Sequence, residues 1–138
     1  VRKRTKAREF ALQILYQMDI THDPPADSLK NFWETNKEEH HDEAMKEFTS
    51  QLVTGVAENL RAIDVKISQF ATNWQLERMA VVDRNVLRLG AFELLFRQDI
   101  PPKVAINEAV ELAKKYSGVE SGKFVNAILD KIKIEKGA

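Results

Sequence analysis

Residues 81–96 read VVDRNVLRLGAFELLF, and this stretch decides the fold. Placed on a helix, its apolar residues surround the axis instead of lining one side, and a helix of that kind has to be enclosed by neighbours. Gly90 stands in its middle, where glycine costs up to about 1 kcal/mol relative to alanine. That cost implies that another helix approaches closely at this point. The chain is therefore expected to build layers of helices around residues 81–96.

Outward from this centre, helical spacing persists and no period-2 strand emerges. Pro101-Pro102 closes the central helix region and opens another helix, with Ala105, Ala109, Leu112 and Tyr116 as its buried line. Glu111 and Lys115 are spaced to pair across one turn. Gly118 is placed for a left-handed C-cap. Glu120 or Ser121 then starts a last helix that buries Phe124, Val125, Ile128, Leu129 and Ile132.

Toward the N-terminus, Trp74, Leu76 and Met79 predict a short helical turn after a polar break at Thr72-Asn73. Met45, Phe48, Leu52, Val56, Leu60, Ile63, Ile67 and Phe70 recur every three or four residues, which predicts one long helix over 42–71. A polar loop over 35–43 separates it from a helix carrying Leu29, Phe32 and Trp33, capped by Asp23 with Pro24 at its first position. The first helix buries Phe10, Ala11, Ile14, Leu15 and Met18 and stops near His22, before Asp23-Pro24-Pro25. The expected fold class is all-α: a compact bundle of about seven helices in two sub-bundles, roughly 1–71 and 74–138, meeting along the long third helix.

Composition narrows the function. At 138 residues, with 43% hydrophobic and 30% charged residues, the chain has the make-up of one globular domain. No apolar run approaches the ~20 residues of a membrane span, so no membrane partner is expected and the simplest localisation is cytoplasmic. Without cysteine there is no disulfide, thiolate metal site or cysteine nucleophile. His40-His41-Asp42-Glu43 holds metal-capable side chains, but adjacent residues project in different directions and HExxH spacing is missing, so no metal is expected. The chain has no P-loop, no dinucleotide-binding glycine motif and no GxSxG. The expectation is a protein that is not an enzyme and needs no cofactor.

A net charge of zero conceals an uneven distribution. Residues 1–22 hold five Lys/Arg against two acids, 23–64 hold four against ten, and 65–138 hold twelve against nine. Arg2, Lys3, Arg4, Lys6 and Arg8 put five cations at the start of the first helix. Such a cluster attracts phosphates through counterion release, although polybasic tails also serve only for solubility. Arg8, Leu12 and Tyr16 form a strip beside the buried one, and an exposed Tyr16 would offer a stacking surface to unpaired bases, unless it packs on the second helix. A second anion-friendly feature is SGVESGKF (117–124), where a helix start exposes backbone N–H groups. Gly118 and Gly122 would keep that backbone approachable, Lys123 and Asn126 add donors, and Ser121 either contributes a hydroxyl or caps the helix. Glu120 opposes phosphate there.

The segments AREFALQILYQMD (7–19), VVDRNVLRLGAFELLF and IPPKVAINEAVELAKKYSGVESGKFVNAILDKI (100–132) closely resemble the NusB family of bacterial transcription antitermination factors. The resemblance implies two small helical bundles that bind boxA-type single-stranded RNA of nascent ribosomal RNA transcripts. It implies a partner, the small-subunit ribosomal protein that doubles as NusE, and assembly with RNA polymerase and other Nus factors. By the same likeness Arg4, Lys6 and Arg8, with Arg2 and Lys3 just outside, map onto an RNA-contacting helix start. Glu120, Ser121, Lys123 and Asn126 map onto a second RNA-facing element. Asp83 maps onto the partner surface, and Tyr16 onto either partner or RNA. The two helix starts are expected to converge on one RNA strand. A homodimer hiding the RNA face is left open. Competing readings are the NusB-like domain of a ribosomal RNA cytosine methyltransferase, which requires a catalytic domain elsewhere in the full-length protein, and a protein-only helical adaptor.

Overall fold

The computed structural model describes residues 2–37, 42–71 and 75–137. His40, His41, Thr72, Asn73 and Trp74 lie outside them, and with them the expectations placed there. Among the described residues there are seven α-helices, one 3-10 turn and no strand: α1 (Lys3–Thr21), α2 (Pro25–Thr35), α3 (Glu43–Glu58), α4 (Leu60–Phe70), the 3-10 turn (Leu76–Arg78), α5 (Val81–Phe96), α6 (Pro102–Ser117) and α7 (Val119–Lys136). The all-α expectation holds. None of these helices is long and apolar enough to cross a membrane.

The single long helix expected over 42–71 is instead two. Asn59, at φ −116° and ψ 18°, interrupts it between α3 and α4. Asparagine is a weak helix former whose side chain competes for backbone hydrogen bonds. The chain divides into two compact units at this interruption, Val1–Glu58 and Asn59–Ala138, not at the expected boundary of 71–74.

In the first unit α1 packs on α2 and α3. Phe10, Ala11, Ile14 and Leu15 are buried as the periodicity predicts, while Met18 is half-buried. Phe10 meets Phe32 and Trp33 with ring centroids 5.3 and 5.7 Å apart, which turns the expected α2 patch into a three-ring cluster. Such aromatic pairs add about 0.5–1.5 kcal/mol beyond area burial. His22 takes the left-handed conformation that ends α1, at φ 63°. α2 starts one residue later than expected, with Pro25 first and Pro24 at the cap, so Asp23 does not cap it.

In the second unit α5 is the central helix, contacting α4, α6 and α7. Residues 85–94 are all buried, as the apolar wrapping of this segment requires. A Cβ added at Gly90 would stand 2.5 Å from Leu129 Cδ1 and 3.2 Å from Ala109 Cβ, so the inferred close approach is met by both α6 and α7. The buried cation on α5 is satisfied: Arg88 Nε and Nη2 each donate at 2.9 Å to Asp64 of α4, a bidentate pair. On α6 the line Ala105, Ala109 and Leu112 is buried, but Tyr116 is 40% exposed, because burial passes to Ala113 near the helix end. Glu111 pairs with Lys114 at 3.4 Å, and Lys115 Nζ sits 5.4 Å from the Tyr116 ring centroid.

Candidate nucleic-acid interface

α1 opens with no acidic residue in its first turn and no side-chain cap on its exposed N–H groups. A helix N-terminus carries partial positive charge, so cations there are unfavourable by a few tenths of a kcal/mol each. The chain nevertheless exposes Arg2, Lys3 and Arg4 at this end, with Lys6 half-exposed. The first turn thus presents positive charge with no acidic residue of its own.

Other side chains hold these cations in place. Lys3 Nζ donates to Asp42 Oδ2 at 2.9 Å, and the other oxygen of Asp42 accepts the Met45 backbone N–H at 3.2 Å, capping the start of α3. The Lys3 hydrogen bond and then the Met45 N–H hold the Asp42 carboxyl below its usual pKa of 3.8. Arg4 and Arg8, one turn apart, lie over the same Phe48 ring at 4.3 and 5.3 Å from its centroid. Lys6 sits 5.0 Å from the Phe10 ring centroid and 3.7 Å from Glu9.

Arg8 departs from the sequence expectation. It is only 4% exposed, whereas Arg2, Lys3 and Arg4 are exposed, so its guanidinium is not open to a phosphate. The sequence places it in the basic run, but the helical period turns it inward beside Ala7 and Ala11. Tyr16 is 40% exposed, in keeping with a stacking surface.

The second element is built differently. Gly118 closes α6 by donating to the carbonyls of Ala113 and Lys114, at 3.0 and 3.2 Å, and the next residue already begins α7. Its φ of 106° and ψ of 173° belong to glycine-only backbone, although not to the left-handed helical cap predicted. α7 therefore starts at Val119, ahead of the expected Glu120 or Ser121. Ser121 is not a cap. Its hydroxyl lies 3.3 Å from Asp83 Oδ2 and 2.9 Å from Ser117 Oγ. Gly122 is buried, and a Cβ there would stand 2.6 Å from Lys114 Cγ. It serves the packing of α7 on α6 and does not open backbone to an anion.

Glu120, Lys123 and Asn126 are exposed on α7, with Lys123 Nζ 3.4 Å from Glu120. Asp83, in the first turn of α5, is half-buried, and its Oδ1 is buried without a hydrogen-bond partner among the described residues. A groove of about 350 Å³ brings Asp83 together with Glu120, Ser121, Arg78 and Phe124. Thus Asp83, assigned by resemblance to the partner surface, and Ser121 and Glu120, assigned to the RNA surface, line one groove. Sequence reading missed three supports. Phe48 looked like an ordinary core position, Asp42 like part of a polar loop, and Arg78 gave no signal. No group of three or more metal-capable side chains clusters among the described residues.

The model of the NusB family matches residues 5–133. The transcription antitermination protein NusB of Anaeromyxobacter dehalogenans is 52% identical over 94% of this chain and 89% of its own length. That of Thermodesulfovibrio yellowstonii is 44% identical over 97% and 93%. Among solved structures, "T. maritima NusB" aligns with a TM-score of 0.83 and 41% identity over 96% of this chain and 91% of that one. The NusB and NusE antitermination factors in complex with double-stranded RNA provide another match, with a TM-score of 0.86 and 31% identity over 98% of each chain.

Proposed function

The chain belongs to the NusB family, and on that premise we propose that it is a non-enzymatic, RNA-binding transcription antitermination factor. With the ribosomal protein acting as NusE it binds boxA-type RNA of nascent ribosomal RNA transcripts and helps RNA polymerase, with other Nus factors, resist termination. The work belongs to the cytoplasm, where bacterial transcription takes place. The observation that carries the reading is the exposed cationic mouth of α1, in a chain 52% identical to a NusB over almost its whole length.

The proposed mechanism divides labour among residues. Arg2, Lys3, Arg4 and Lys6 neutralise phosphates and release their counterions, giving affinity that falls with salt. Arg8 packs on the Phe48 ring that also supports Arg4, and Tyr16 offers its exposed ring to a base or to the partner. Lys123 and Asn126 supply donors on the exposed side of α7, while Glu120 and Ser121 border the groove in which Asp83 engages the ribosomal protein. An unpartnered carboxylate oxygen in a groove suits a cationic or N–H donor of a protein better than a phosphate. Coupling between RNA and partner lets each tighten the other.

Filter binding to boxA-type RNA across salt concentrations tests the reading, with and without the ribosomal protein. The expected result is affinity that declines with salt and rises with partner. A protein-only adaptor would give neither affinity nor salt slope. Asp83→Lys separates the two surfaces: partner binding should weaken by about 2–5 kcal/mol while helical circular dichroism persists. Unaltered partner affinity in that variant would refute the assignment of Asp83.

A further inference from the structure

The first unit contains a second groove, of about 370 Å³, between α1 and α2. That volume lies in the range of small-molecule sites, about 300–1,000 Å³. Gln13 and Gln17 line it from α1, and Ser28 and Asn31 from α2, with Ile14 and Phe32 as apolar wall. Gln13, Gln17 and Asn31 are exposed. Ser28 is 8% exposed, and its buried hydroxyl has no hydrogen-bond partner among the described residues. A buried hydroxyl left without a partner costs about 1–3 kcal/mol, so a polar guest at this groove relieves a cost already present in the fold.

The chemistry of the lining is selective. Among the described residues no Lys or Arg lines the groove, and the one ionisable side chain there is Asp23. Phosphate is therefore disfavoured. Amide side chains carry a donor and an acceptor on one short arm, the pattern that reads base edges, and an aromatic or aliphatic wall accommodates a base face. The groove also lies in register with the basic mouth. Lys3, Lys6, Gln13 and Gln17 fall at spacings that keep them on one stripe of α1, with Glu9 between. Lys6 and Gln13 are seven residues apart, about 10 Å along the helix axis.

From this we infer that the α1–α2 groove is a nucleobase pocket: an unpaired base of the RNA enters between Gln13 and Asn31 while the adjoining phosphates lie along Lys3 and Lys6. The inference rests on the RNA-binding reading above and adds to it a site that takes a base instead of a phosphate.

The test uses the full chain, a short boxA-type RNA, and copies of that RNA each lacking one base. In the parent protein, one abasic position should weaken binding about tenfold, the scale of one lost base contact. In the exposed double variant Gln13→Ala/Asn31→Ala, the intact RNA should weaken about tenfold, the penalty at that abasic position should vanish, and the salt slope should be unchanged. An abasic profile identical in parent and variant would overturn the pocket while leaving RNA binding intact. Loss of ribosomal-protein binding with an unchanged abasic profile would also overturn it, in favour of a peptide occupant. Absence of any affinity or salt slope in the parent would instead refute the RNA-binding reading itself.

Discussion

At the mouth of α1, side chains hold the exposed cations; at the start of α7, the path of the backbone sets what is presented. The first arrangement depends on Phe48 under Arg4 and Arg8 and on Asp42 against Lys3. The second depends on Gly118 in a conformation reserved for glycine and on Gly122 against the stem of Lys114. The difference teaches how each can change. A platform of side chains can be weakened one residue at a time and responds to salt, whereas a turn enforced by backbone geometry either forms or does not.

The strongest way to break the contrast is Phe48→Ala. Phe48 is 4% exposed, and removing a buried phenyl ring costs about 3–5 kcal/mol, to be read by chemical denaturation. RNA affinity should fall as well, because Arg4 and Arg8 lose their common support. Gly118→Ala comes next. Forcing a side chain into that backbone region costs about 1–3 kcal/mol of stability, and the variant should keep its α1-dependent salt slope while losing definition at α7.

A finer comparison sets Arg4→Ala against Arg8→Ala. Arg4 is exposed, so its loss should reduce the salt slope by about 0.9, or about 0.7 on a single strand. Arg8 is buried, so its loss should leave the slope unchanged and appear as reduced thermal stability. The smallest effect is expected with acid. Asp42 in the first unit and Glu135 in the second are both held below their ordinary values of 3.8 and 4.5, Asp42 chiefly by Lys3 and Glu135 chiefly by Lys66. Depressed carboxylates stabilise the fold fully above the unfolded pKa and stop doing so as pH falls through the folded one. Melting temperature should therefore be indifferent to these pairs from neutrality to about the ordinary values. Only below them should Asp42→Asn and Glu135→Gln converge with the parent.

Much of the fold was legible because burial repeats with the helical period. The stripe of α1 and the enclosure of α5 follow from apolar spacing alone, and the close approach at Gly90 follows from a glycine kept inside a helix at a cost. The break at Asn59 was not legible, since Val56, Leu60 and Ile63 keep the period across it; a single backbone angle decides it. At the candidate interface the sequence indicates charge but not depth. Arg8 counts as one cation among five until the helix turns it inward. Ser121 has the residue type of a cap, yet Asp83, thirty-eight positions earlier, engages its hydroxyl. Long-range partners of that kind leave no mark in local sequence.

One consequence follows from the seam at Gly118. Because a single residue finishes α6 and launches α7, the chain has no slack there, and the seam behaves as a stiff elbow. The opening turn of α7 takes its bearing directly from α6, so Glu120, Ser121 and Lys123 are presented in a preset orientation. Anything that docks there meets a template already assembled, and little of its binding energy is spent on ordering the loop.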